Sequence, residues 1–167
     1  MALRHPSIPP KALPTLWLMT DERMGEALWA ALDRLPRGSG VVFRHFATTP
    51  AERAAIFARL ARVAARRRLI VVRAGVTGQT LHLHPGHSVR EAIAARRRKA
   101  DVILVSPVYP TRTHPGARAL GPLRAATIAR AAGIPAIALG GMTRTRFKRM
   151  KSLGFAGWAA IDGLTSR

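Results

Sequence analysis

Apolar residues along this chain fall into short runs separated by stretches with helical spacing. Leu16 to Thr20 is a compact apolar run that predicts a strand. From Asp21 to Leu35, Met24, Ala27, Leu28, Ala31, Leu32 and Leu35 recur at three- and four-residue intervals, the mark of an amphipathic helix. Val41–Phe46, Leu69–Arg73, Thr80–His84, Val102–Ser106, Pro135–Leu139 and Trp158–Ile161 predict six further strands. Two capping boxes, Thr49-Pro50-Ala51-Glu52 and Ser88-Val89-Arg90-Glu91, open helices reaching about Arg67 and Lys99. Pro122–Ala132, closed by Gly133, and a Thr143-capped segment ending before Gly154 predict two more.

Strands alternating with helices imply βαβ units and a parallel sheet. Seven strands and about six helices approach a (β/α)₈ barrel, but 167 residues fall short of the roughly 200–250 of that fold. The abridgement falls at Ala74–Gln79, six residues where a parallel crossover needs about a dozen. Either strands three and four are not parallel neighbours, or one β/α unit is missing after strand three. The expected fold is therefore α/β, TIM-barrel-like and abridged, a single domain over residues 1–167 with an irregular N-terminal arm over 1–14.

Composition narrows the chemistry. There is no cysteine, which excludes disulfides, thiolate metal ligands and thiol nucleophiles. No apolar run approaches a bilayer span, and the N-terminus lacks a signal-peptide core, so a cytoplasmic protein is the expectation. The formal charge is +20, from 28 Lys+Arg against 8 Asp+Glu. Only four cations are lysines. Aromatic residues are 5%, too few for extensive base stacking, so nucleic acid is not the expected partner. Arg66–Arg68 and Arg96–Arg98 sit at helix C-termini, where they complement the helix dipole.

In such folds, sites gather at the C-terminal ends of the strands. Those ends present Thr20-Asp21, Arg44-His45, His82, His84, His87-Ser88, Ser106, Gly140-Gly141 and Asp162-Gly163. Gly140 and Gly141 before a helix suit an oxyanion, or simply a tight turn. Thr111 and Thr113, flanking Arg112, add hydroxyls and a cation. His82, His84 and His87 form a histidine cluster, but no acid occurs from Ala92 to Ala100 to complete a metal set, and no metal ligand is assigned. His87 suits a lone acid–base group. A second role for it is as a polar neighbour of the Ser88 cap.

The order of these motifs resembles the thiamine-phosphate synthase and thiazole tautomerase (TenI) superfamily. The resemblance rests on Leu16–Asp21, Val41–Arg44, His87-Ser88, the Ser106–Gly116 segment, Leu120-Gly121, Leu139–Met142 and Gly157–Ile161. It implies a TIM barrel and an enzyme of thiamine biosynthesis that joins an aminopyrimidine pyrophosphate to a thiazole phosphate, releasing pyrophosphate. By motif, Thr111, Thr113 and His114 would contact the thiazole or its phosphate. Gly140 and Gly141 would offer amides to that phosphate. Arg44 matches the arginine that faces the pyrophosphate, where Arg73 or Arg112 would add charge that no family motif supplies, and His87 matches the proton shuttle of the tautomerase branch. The chain departs from the family at Val42, Phe46, Val72, Arg73 and His114, and it lacks counterparts of the two Mg²⁺ aspartates. Mg²⁺ then enters only if held mainly by the substrate's pyrophosphate. A tautomerase using His87, or a non-catalytic binder of phosphate ligands or RNA on the same scaffold, are the alternatives. A homodimer is left open.

Overall fold

The computed structural model describes residues 13–76, 79, 81–111 and 116–161. Seven strands form one all-parallel sheet: β1 (Leu16–Met19), β2 (Gly40–Phe43), β3 (Ile70–Arg73), β4 (Leu83–Gly86), β5 (Val102–Val105), β6 (Ala136–Leu139) and β7 (Gly157–Ala160). Their order is β3-β2-β1-β7-β6-β5-β4. That is the cyclic order of a barrel opened between β3 and β4. The described helices are α1 (Ala27–Arg34), α2 (Pro50–Arg67), α3 (Val89–Arg97), α4 (Pro122–Ala132) and α5 (Arg144–Ser152), with a 3₁₀ turn at Glu22–Met24. Among the described residues this makes five α-helices where about six were expected. β3 and β4 are not paired, which is the first of the two outcomes foreseen for the short Ala74–Gln79 link, and it places the abridgement there.

β1, β2, β5, β6 and β7 are buried on both faces, so their sequences read as continuous apolar runs rather than alternations. Inward-facing Trp17, Met19, Val42, Val72, Leu104, Ile137 and Ala159 form the interior core. Outward-facing Leu18, Val41 and Phe43 pack beneath α1 and α2. Ile103, Val105, Ala136, Ala138 and Trp158 pack beneath α3, α4 and α5. Gly40 is required here: a Cβ at this position would lie inside the Trp17 indole.

Three boundaries depart most from the sequence expectation, each for a visible reason. The helix expected over Asp21–Leu35 is split, because Asp21 caps the 3₁₀ turn and Gly25 at φ +48 breaks the chain before α1. β2 ends at Phe43 rather than Phe46, since the Arg44 N–H donates to the Thr20 hydroxyl and not to a neighbouring strand. The capping boxes both form: Thr49 accepts from the Glu52 amide and Ser88 from the Glu91 amide. β4 starts at Leu83, not Thr80, because the Asp101 carboxylate takes the His82 N–H at 2.7 Å. Thr80 lies outside the described residues, as do residues 1–12 of the N-terminal arm.

Both open edges are blunted. The His82 and Gly86 carbonyls accept from β5, so by two-residue alternation Leu83 and Pro85 turn their backbone to the gap. Proline there offers no N–H, as edge strands favour. On the other side, the Gln79 side-chain amide accepts from the Arg73 N–H and donates to the Arg73 carbonyl, each at 2.6 Å. One side chain thus occupies hydrogen-bonding positions that a neighbouring strand would use.

Candidate active site

A cavity of about 680 Å³ opens at the C-terminal ends of the strands. Its lining brings together Arg44, Arg73, His87, Thr111 and Gly140, five residues that the sequence placed on five different elements. Gly141 adjoins Gly140 without lining it. Arg112, Thr113 and His114 lie outside the described residues, as does Asp162.

The two glycines are fixed by packing as well as by conformation. Gly140 adopts φ +94 and Gly141 φ +58. A Cβ on Gly140 would come within 2.7 Å of the Pro107 Cα, and one on Gly141 would strike the Pro110 carbonyl oxygen. The loop after β5 is locked against them: Val108 N–H donates to the Leu139 carbonyl and Tyr109 N–H to that of Gly140. The Gly141 carbonyl accepts from Arg146, whose guanidinium lies 4.6 Å from the Tyr109 ring centroid. The tight-turn reading of this glycine pair is what the φ values and packing show. The pair also leaves bare backbone at the start of a helix, where amides and dipole favour an anion.

Arg44 points inward from the end of β2. Its Nε donates to the Thr20 carbonyl at 3.1 Å, and its terminal nitrogen lies 3.6 Å from the Asp21 carboxylate. Burial pulls its pKa below the ordinary value, with Asp21 opposing that shift. Asp21 itself is lowered to about 2, chiefly by the hydrogen bond from the Arg23 side chain. Arg44 thus presents a positioned cation whose nearest acid is already engaged.

His87 precedes the α3 cap. Its N–H donates to the Glu91 carboxylate at 2.7 Å, while its Nδ1 lies 2.7 Å from the Ser106 carbonyl. A carbonyl only accepts, so Nδ1 carries a proton, and in the neutral ring the lone pair is on Nε2. The ring is held in the tautomer that a proton acceptor needs. It is both a neighbour of the Ser88 cap and a cavity-lining group.

Arg73 is placed differently from the pyrophosphate contact expected of it. Val72 faces the interior, so Arg73 turns outward, and its guanidinium lies 5.0 Å from the Phe57 ring centroid on α2. It borders the cavity, but its charge is directed to the outer face. The three histidines do not form one cluster either. The His82 and His84 rings stand 6.4 Å apart, and His84 Nδ1 donates to the Pro85 carbonyl while its Nε2 faces Arg98. Among the described residues no group of three or more His, Asp or Glu could hold a metal ion. His82, Ser106, Gln79 and Phe46 also line the cavity, although the sequence marked none of them as a ligand contact.

His45 lies on the outer side, 4% exposed, stacked on Phe43 with its Nδ1 3.1 Å from the Thr20 hydroxyl. Burial lowers its pKa below 6.5. The folded protein therefore resists a proton that the unfolded chain accepts. Stability is complete above pH 6.5 and declines as the pH falls below it, toward the folded-state value. Urea midpoints measured from pH 8 to pH 5 should show this decline, and His45→Gln should reduce it.

Residues 85–164, just under half of the chain, match the family model described as thiamine monophosphate synthase. Over 79 residues the chain is 39% identical to the thiamine-phosphate synthase of Chlorobium luteolum, covering 47% of this chain and 37% of that protein. Over 76 residues it is 35% identical to the putative thiamine-phosphate synthase 2 of Aquifex aeolicus, covering 46% and 41%. Residues 85–164 are thus similar in sequence to the thiamine-phosphate synthase family. The matched part spans only about two fifths of the length of these curated relatives. The fold extends further than the sequence match. A thiamine phosphate pyrophosphorylase from Pyrococcus furiosus superposes with TM-score 0.78 at 18% identity, over 95% of this chain and 90% of that one. Its counterpart from Bacteroides thetaiotaomicron gives 0.54 at 18% identity, over 90% and 83%. The relationship is thus carried in sequence by the half holding His87, Thr111 and Gly140–Gly141, and in fold by the whole sheet. Among the described residues no helix is long and apolar enough to cross a membrane.

Proposed function

We propose that this protein is a thiamine-phosphate synthase-like transferase of thiamine biosynthesis. The convergence of Arg44, His87, Thr111 and Gly140 on one cavity carries this reading. The thiazole phosphate lies at the Gly140–Gly141 amides, the N-terminus of α5 and Thr111. The carbon–oxygen bond between the aminopyrimidine methylene and its diphosphate breaks, and the thiazole nitrogen bonds to that carbon. Arg44 takes up charge on the departing diphosphate, a stabilisation that is strong in a partly buried site. The family's reaction is Mg²⁺-assisted. No carboxylate lines this cavity among the described residues, so they do not fit a protein-held Mg²⁺, and no step is assigned to one. Supplying both substrates should release pyrophosphate. A folded sample that releases none, with and without Mg²⁺, overturns the proposal.

A second reading is favoured by one observation, the Nδ1–carbonyl bond that fixes the His87 tautomer. It supports proton transfer on a thiazole phosphate carboxylate, a tautomerase-like reaction needing no metal. His87→Ala should then slow tautomerisation by about 10²- to 10⁴-fold. An unchanged rate eliminates this alternative.

A further inference from the structure

The cavity has two chemically different ends. Around Gly140 lie backbone amides, Thr111 and His87. Toward β2 and β3 the described lining includes Val42, Val72, Val76 and Phe46, with Arg44 and Arg73 as cations, the Arg73 guanidinium lying over Phe57. Phe46 is 62% exposed, one of three large exposed hydrophobic residues among those described. The other two, Val89 and Leu123, lie together near the starts of α3 and α4, away from this cavity.

A lone exposed phenyl on an open surface needs no explanation. This one borders a cavity. The Arg53 guanidinium of α2 lies 5.4 Å from its ring centroid. Gly75, at φ +73, lies beside the ring: a Cβ there would stand 3.8 Å from Phe46 Cε1, in ordinary contact. An aromatic surface beside valines and a positioned cation, in a lining without a carboxylate among the described residues, complements a planar ring that carries an anion.

We infer that Phe46 is the stacking platform for the planar ring of an aromatic phosphate ester whose anion lies at the Gly140 end of the cavity. The inference goes beyond the transferase reading and does not depend on it. A chain that releases no pyrophosphate yet binds such an ester through its ring would lose that reading and keep this one.

The test is calorimetric titration of the full chain with phenyl phosphate and with inorganic phosphate, in chelator. Phenyl phosphate should bind the tighter of the two. Phe46→Ala should weaken phenyl phosphate binding about tenfold while leaving inorganic phosphate within about twofold. Phe46→Trp should retain the preference, with indole emission quenched by phenyl phosphate and not by phosphate. Because the ring is largely exposed, thermal unfolding should be the same for all three proteins. Equal affinity of the unsubstituted chain for both probes, equal loss of both in Phe46→Ala, or no phenyl phosphate binding overturns the inference.

Discussion

Arg44→Ala should lower the rate of pyrophosphate release by about 10²- to 10³-fold, the usual effect of removing one positioned donor from a developing anion. The loss should fall mainly on kcat, because the Gly140–Gly141 amides and Thr111 still hold the thiazole phosphate. Two features make the effect large. Arg44 is the one arginine of the described lining whose charge is directed inward, as Arg73 lies over Phe57. Its orientation is also set from behind, by the Nε bond to the Thr20 carbonyl. Arg44→Lys should therefore recover little, because an ammonium on a flexible stem cannot hold that carbonyl and face the leaving group together. Steady-state assays of both variants decide the matter. A fall below about fivefold for Arg44→Ala would remove this residue from the proposed chemistry.

Trp17→Ala should destabilise the protein by about 3–5 kcal/mol, the largest folding effect expected of a single truncation here. The indole is fully buried at the centre of the interior core. Its N–H donates to the Pro14 carbonyl at 2.7 Å, and its ring fills the space that Gly40 leaves by lacking a Cβ. Truncation empties that space and orphans the carbonyl together. For a chain of this size the melting temperature should drop by roughly 6–20 °C. Urea unfolding supplies the free energy directly. A loss under about 1 kcal/mol would mean that the interior closes without this ring.

The strands were legible because burial on both faces leaves unmistakable runs, as at Val41–Phe43 and Val102–Val105. The same property hid their facing. In a run apolar throughout, nothing local says which parity points inward, so the sequence does not show that Val72 holds the inward position while the guanidinium of the cavity-bordering Arg73 turns to Phe57. Gly25 broke a well-spaced helical pattern because a positive φ outweighs periodicity. Pro85 did carry a signal, since a proline inside a strand marks an edge, and it would have placed the opening in the sheet. The convergence of Arg44, His87, Thr111 and Gly140 was readable because parallel strands deliver their C-terminal ends to one face. The tautomer of His87 was not, because the Ser106 carbonyl that sets it lies on another strand.

The order of the strands has a consequence for how the site comes into being. Within the sheet, β1–β3 and β4–β7 are joined solely by the pairing of β1 with β7, which sets Leu16 opposite Trp158. Contacts between segments so far apart in sequence carry a high loop-closure entropy and form late. Arg44 and Phe46 belong to the first set of strands; His87, Thr111 and Gly140 belong to the second. Neither half holds a working constellation by itself. Affinity for the ligand thus requires both sets to be assembled, and any ligand that bridges the two halves acts as a clasp on the seam between them.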